Sequence, residues 1–272
     1  MKLIKQSKLL TFKVIVSLIT LNTQISFAQN KKINLKDWEG SYVGIGVANS
    51  SSKTEIRAPN SNDHYALNNG TKDKSQNEII FKIGHLEQLN NNILLGIELN
   101  KYSDIKTSTL NTNTASGYYR TGGTAIDRNT LKLEEIISLE LKLATVLENQ
   151  DIFLNNLMIY GKFGVATLKS NQRNTEDGYD DHIGQSTARH YGSVVGIGIE
   201  KKLSIFDDPI INNNATISFE YNRMNFNKKT SGSDSFGIDA AGYSVKPEIN
   251  NLMLTINYRL SDNTLGLKNL IK

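Results

Sequence analysis

The stretch Tyr191–Leu203, YGSVVGIGIEKKL, places the tightest limit on the fold. Tyr191, Val195, Ile197 and Ile199 fall at odd positions, broken only by Ser193, and alternate with Gly192, Gly196, Gly198 and Glu200. Successive side chains of a strand point to opposite faces, so this strand would have one apolar face and one face of glycines ending in a carboxylate. A soluble sandwich would turn Lys, Thr or Ser toward water. Glycine weakens a strand interior and marks close approach or tight curvature, so the polar side reads as cramped rather than solvated. Ser41–Ser52 repeats the pattern, with Val43, Ile45 and Val47 alternating with Tyr42, Gly44, Gly46 and Ala48. Both stretches predict walls of a narrow barrel turned inside out, with lipid outside and small or charged groups within.

The N-terminus has to be set aside before the rest is read. Lys2, Lys5, Lys8 and Lys13 precede and flank the short apolar run Val14–Leu21, and Ser26-Phe27-Ala28 ends in small residues. This predicts a secretory signal over residues 1–28, cleaved after Ala28; the apolar run is too short for a spanning helix. Those residues hold four lysines and no acid, so the formal net charge of +4 falls to zero in the mature chain. Neither nucleic acid nor a polybasic membrane contact is then predicted as a partner. With no cysteine, disulfides and thiolate metal sites are excluded. No later segment approaches the roughly 20 apolar residues of a transmembrane helix, so an exported chain of this kind enters a membrane only as a closed barrel.

Six further strands follow from the period-two pattern. Asn77–Leu86 sets Ile79, Phe81 and Ile83 against Glu78, Lys82 and Gly84, and Ile93–Tyr102 sets Ile93, Leu95, Ile97 and Leu99 against Gly96, Glu98 and Asn100. Thr130–Leu147 has helix-forming composition, yet Leu131, Leu133, Ile137, Leu139, Leu141 and Leu143 keep period two with a break at Glu135. Lys132, Glu134, Ser138, Glu140 and Lys142 take the other face. Leu157–Lys169, Ala215–Phe226 and Asn250–Leu260 complete the set. Long polar segments, Lys53–Gln76, Ser103–Arg128, Ser170–Arg189 and Asn227–Pro247, alternate with shorter turns. The expectation is an all-β, eight-stranded antiparallel up-and-down transmembrane β-barrel over residues 29–260, with a tail over 261–272.

The inward face would collect Glu78, Glu98, Glu134, Glu140, Glu200 and Glu220 with Lys82, Lys132, Lys142, Lys162 and Arg259. Acids and bases nearly balance, as charges withdrawn from water require, and this predicts an ion-pair network in the lumen. An eight-stranded interior is only wide enough for side chains to fill it, so no diffusion pore is expected. The competing reading makes the same charges the solvated face of a soluble exported sandwich. Trp38, the only tryptophan, is either an interfacial anchor at the rim or a core aromatic.

The segments DWEGSYVGIGV (Asp37–Val47), YGSVVGIGIEKKL (Tyr191–Leu203), ATISFEYNRMNF (Ala215–Phe226) and LMLTINYRL (Leu252–Leu260) resemble strands one, six, seven and eight of the small outer-membrane β-barrel proteins of Gram-negative bacteria, the opacity-type and OmpA-type barrels. LMIYGKFGV (Leu157–Val165) resembles their fifth strand. The resemblance implies a polar-plugged, monomeric barrel among outer-membrane lipid and lipopolysaccharide, whose loops meet a host surface, another cell or an external ligand. Such barrels end on an aromatic that serves the insertion machinery. Here the strand ends at Leu260 and a tail follows, which leaves Tyr258 for that role.

Catalysis has little to stand on. His64, His85, His182 and His190 are scattered without metal-ligand spacing, and Glu176–His182 lacks the fixed spacing of a calcium loop. No metal and no cofactor are predicted. A rim enzyme would have to recruit His64, Asp181, His182 and Ser186, and a hemin receptor, the runner-up function, would use His64, Tyr65, Tyr179 and His182. The expected function is non-enzymatic: an outer-membrane barrel that supports envelope integrity and presents its loops outward.

Overall fold

A chain whose strands are apolar on one face and small or charged on the other can hide the second face by curling the sheet on itself. The computed structural model describes residues 35–57, 70–90, 92–106, 110–114, 125–147, 156–176, 182–203, 214–231, 233–234 and 243–260. Eight main strands form the wall: β1 (Gly40–Arg57), β2 (Gly70–Asn90), β3 (Ile93–Tyr102), β4 (Ala125–Leu147), β5 (Leu157–Glu176), β6 (His182–Lys202), β7 (Ala215–Phe226) and β8 (Tyr243–Arg259). Each pairs antiparallel with its sequence neighbours. The sheet closes where β1 pairs with β8, from Tyr42 opposite Arg259 to Arg57 opposite Ser244. The fold is an eight-stranded up-and-down barrel, as the alternation predicts. The export segment 1–28 and the tail 261–272 lie outside the described residues.

The outward face is apolar. Val43, Ile45 and Val47 on β1, Ile79, Phe81 and Ile83 on β2, and so on round to Leu252, Leu254 and Ile256 on β8, belong to a set of large apolar side chains 38–63 % exposed. A continuous belt of this kind does not face water in a monomeric soluble protein. It is the lipid-facing band of a transmembrane barrel, and the sandwich alternative falls. No helix among the described residues is long and apolar enough to cross a membrane.

The wall is taller than the sequence pattern implies. β5 runs to Glu176 and β6 restarts at His182, so most of the expected long loop Ser170–Arg189 is strand. Likewise β1 continues to Arg57 and β2 begins at Gly70. Short strands occupy part of two other expected loops: Ile105–Lys106 and Leu110–Thr114 pair with β4, Lys229–Ser231 with β8, and Ser233–Asp234 with β6. Apolar alternation reports only the height at which one face meets lipid. Above it both faces carry Ser, Thr, Asn and Lys, while the backbone ladder continues.

One local irregularity overturns a face assignment. On β4, Glu134 faces Lys169 and Ile137 faces Thr167, so Glu135 and Ile136 together oppose the single residue Leu168. This is a β-bulge, and Glu135 sits at φ 52°. A two-against-one step inverts the alternation on either side of it. Leu139, Leu141 and Leu143 point outward as expected, but Leu131 and Leu133 are buried inside the barrel at 2 % and 0 % exposure. The break at Glu135 is therefore a change of register rather than one polar exception within a continuous face.

The mouth at the turn end is stoppered by a 3₁₀ turn, Leu35–Trp38, whose Leu35 and Trp38 are fully buried. Trp38 is thus a core aromatic and not a rim anchor. Gly40, at φ 106°, makes the bend from this turn into β1, a conformation that disfavours any side chain. The loop-end half of the barrel is filled by an apolar cluster that includes Ile80, Tyr102, Leu131, Leu133, Leu168, Met224 and Ile249.

Candidate functional site

Between the stopper and the apolar cluster lies a layer of charge, and every strand supplies part of it: Tyr42 from β1, Lys82 from β2, Glu98 from β3, Glu140 and Lys142 from β4, Lys162 from β5, Glu200 from β6, Glu220 from β7 and Arg259 from β8. The residues reach this layer because strand alternation turns them inward at similar heights. Gly84 and Gly198 create the room. Tyr42 stands directly opposite Gly84 and Tyr160 directly opposite Gly198, and in each pair the tyrosine ring occupies the space a Cβ would need.

Lys162 is the hub. Its ammonium lies 2.8 Å from Glu98, 2.9 Å from Glu140 and in contact with Glu220. Lys82 also contacts Glu220 and stands 3.8 Å from Glu98. Neutral donors complete the carboxylates: the Tyr42 hydroxyl donates to Glu98 at 2.6 Å, and Asn100 Nδ2 and the Ser138 hydroxyl donate to Glu140 at 2.9 and 2.5 Å. A second group lies toward the turn end. Glu200 accepts from Lys142 at 2.8 Å, from the Thr216 hydroxyl at 2.6 Å and from Arg259 at 3.4 Å. Arg259 also donates to the Trp38 carbonyl, and its guanidinium lies 5.1 Å from the Trp38 ring centre.

The aromatic rings join the two groups, since the Lys142 ammonium sits 3.8 Å from the Tyr160 ring centre and 5.5 Å from that of Tyr42, within cation–π range. Four carboxylates meet four cations here, and all eight residues are at most 4 % exposed. Charges taken out of water are tolerable only when paired and hydrogen-bonded. The arrangement leaves these cations engaged by carboxylates and draws on all eight strands. Its chemistry is that of a plug, without an exposed nucleophile.

Three residues assigned by sequence to this network stand apart from it. The β4 bulge puts Lys132 and Glu134 on the outer side, opposite in facing to Glu140 and Lys142, where Lys132 lies 2.5 Å from Glu134 and 3.3 Å from Asp104 with its side chain 35 % exposed. Glu78 does point inward and is 3 % exposed, but Ile80 separates it along β2 from Lys82. Conversely, the charge list from sequence omitted Tyr42, Asn100, Ser138, Tyr160 and Thr216. Their shared inward parity with the charged residues was the available signal.

Of the residues considered for catalysis or hemin, His64, Tyr65, Tyr179 and Asp181 lie outside the described residues, while His182 and Ser186 belong to the loop end of β6, opposite Thr175 and Gln172. His190 forms an inward contact of its own. Its Nδ1 donates to the Asn227 carbonyl at 2.9 Å, which leaves Nε2 to accept from the Ser170 hydroxyl at 2.9 Å. Ser170 and His190 are 2 % and 0 % exposed, so the pair ties β5 and β6 to the segment after β7. Among the described residues no three His, Cys, Asp or Glu gather as a metal site.

No family model and no curated protein matches the chain. Solved structures do align with it. Ail, the attachment invasion locus protein of Yersinia pestis, covers 82 % of this chain and 99 % of its own at 12 % identity and a TM-score of 0.39. The outer membrane protease OmpT of Escherichia coli covers 81 % and 97 % at 11 % identity and 0.44. The outer membrane protein OprG of Pseudomonas aeruginosa covers 82 % and 97 % at 12 % identity and 0.43.

Proposed function

We propose that the chain is a non-enzymatic outer-membrane barrel that strengthens the envelope and holds its loop end toward the exterior for contact with a surface, a cell or a ligand. The observation that carries this reading is the combination of an exposed apolar belt outside with a closed, charge-balanced plug inside. The belt requires lipid, and a plug of paired charges argues against a diffusion pore, so this reading gives function to the parts standing clear of the membrane. Both ends of the barrel wall, Gly40 and Arg259, lie at the turn end, which this reading assigns to the periplasm. Lipopolysaccharide is then the lipid surrounding the loop half.

The test is extraction and migration of the protein from outer-membrane fractions, followed by reconstitution in a planar bilayer. Resistance to carbonate, a shift in migration between unheated and boiled samples, and no steady conductance are expected. A protein that washes off with carbonate, or one that conducts as an open channel, would overturn the reading.

A further inference from the structure

On the loop side of the charge layer the barrel wall carries a second, smaller polar group that no cation among the described residues completes. Glu78 on β2, Ser50 on β1 and Asn251 on β8 are 3 %, 0 % and 1 % exposed. They belong to three adjacent strands: Glu78 lies opposite Ala48, and Ser50 lies opposite Asn251 on one side and Gln76 on the other. The Ser50 hydroxyl and the Gln76 side chain lie close enough to act on the Glu78 carboxylate, yet neither carboxylate oxygen, nor the Ser50 hydroxyl, nor either end of the Asn251 amide makes a hydrogen bond of full geometry, and the Thr54 hydroxyl farther along β1 is in the same condition. Apolar residues bracket the group along the strands, Ile80 and Met253 on the charge-layer side and Ile249 on the loop side, all at 0–1 % exposure. Two lysines flank Glu78 at four residues on β2: Lys82 is committed to Glu220 and Glu98, and Lys74 makes no ion pair with Glu78 among the described residues. The charged neighbour that acts on Glu78 is Asp104, itself a carboxylate held by Lys132.

A buried carboxylate without a cation is costly, and an unpaired buried amide and hydroxyl add to the cost. The eight charges below show that this barrel otherwise pairs the charges it buries. We propose that Glu78, Ser50 and Asn251 form an internal site for a single positive charge, a monovalent metal ion or a primary ammonium group. The donor set is a carboxylate, a hydroxyl and an amide carbonyl, all hard oxygen ligands. One carboxylate balances one charge, whereas calcium sites gather several, and no such cluster occurs among the described residues.

The test uses the full chain folded in detergent and melted at constant ionic strength in sodium, potassium, methylammonium or tetramethylammonium chloride. Holding ionic strength fixed removes general screening. A ligand that binds only the folded state raises the midpoint in a saturable way. The expected result is such a rise with a small cation and none with tetramethylammonium, whose methyl groups offer no hydrogen-bond donor. Response to sodium or potassium alone identifies a metal-ion site, and response to methylammonium identifies an ammonium site. Glu78→Gln is expected to abolish the rise. If that variant does not fold, Asn251→Ala gives the same readout as a shift of half-saturation to higher concentration. Equal midpoints for the wild-type protein in all four salts, as a protonated Glu78 would produce, overturn the proposal; so does a rise that survives Glu78→Gln unchanged.

Discussion

Tyr160 and Gly198 face each other across β5 and β6, and the phenol ring lies where a side chain on Gly198 would stand. Tyr42 and Gly84 repeat the relationship across β1 and β2. The glycines that looked cramped in the sequence are therefore one half of aromatic–glycine pairs, which let two large rings lie inside a narrow barrel and hold Lys142 between them.

Gly198→Ala should destabilise the folded barrel by about 1–3 kcal/mol, the usual cost of overpacking. Gly161→Ala is the control, because a Cβ at that position meets nothing within 4 Å. Urea unfolding in detergent, followed by the shift in migration, distinguishes them. Equal midpoints for the two variants would show that the ring does not need the space.

Lys162→Met should cost about 3–5 kcal/mol, the scale for removing one partner of a buried ionic group. It strips a shared cation from Glu98, Glu140 and Glu220 at once. Arg189→Ala, which breaks a surface pair with Glu135 at a side chain 46 % exposed, should change stability by less than about 1 kcal/mol. The two losses are read from the same unfolding curves, and the ranking is the prediction.

Ile197→Lys should cost about 2–4 kcal/mol if Ile197 lies near the bilayer midplane. The residue is 44 % exposed and sits between Val195 and Ile199 in the outer belt. Folding into lipid vesicles measures the effect; an unaffected barrel would mean that this face is not in lipid.

Removing Glu135 should disrupt the loop half of the barrel, whereas Glu135→Gly should be within about 1 kcal/mol of wild type. The deletion abolishes the bulge, so one side of β4 must invert and drive Leu131 and Leu133 outward. Glycine keeps the extra residue and relieves the φ of 52°. Protease sensitivity at the loop end, scored beside the melting midpoint, separates a local failure from a global one.

Alternation of Val, Ile, Leu and Phe with Gly, Glu and Lys was enough to read the strand number, the antiparallel order, the lipid face and much of the charge layer from sequence, because side-chain direction along a strand has a fixed period of two. Ile93–Tyr102 and Ala215–Phe226 appear in the structure with the bounds the pattern predicts. Above the lipid belt that signal ends, and the continuation of β5 to Glu176 and β6 from His182 depends on backbone pairing across strands, which residue type does not encode. The tertiary structure alone decided three further matters. A single extra residue at Glu135–Ile136 turned Lys132 and Glu134 out of the interior. Closure of β1 onto β8 brought Arg259 beneath Trp38 and beside Glu200. Bringing Lys82, Glu98, Lys162 and Glu220 together required the β2–β3 hairpin and two strands farther along the chain, β5 and β7, to arrive at one height. Each is a matter of register between strands, and a period-two pattern within one strand is silent about its register with the next.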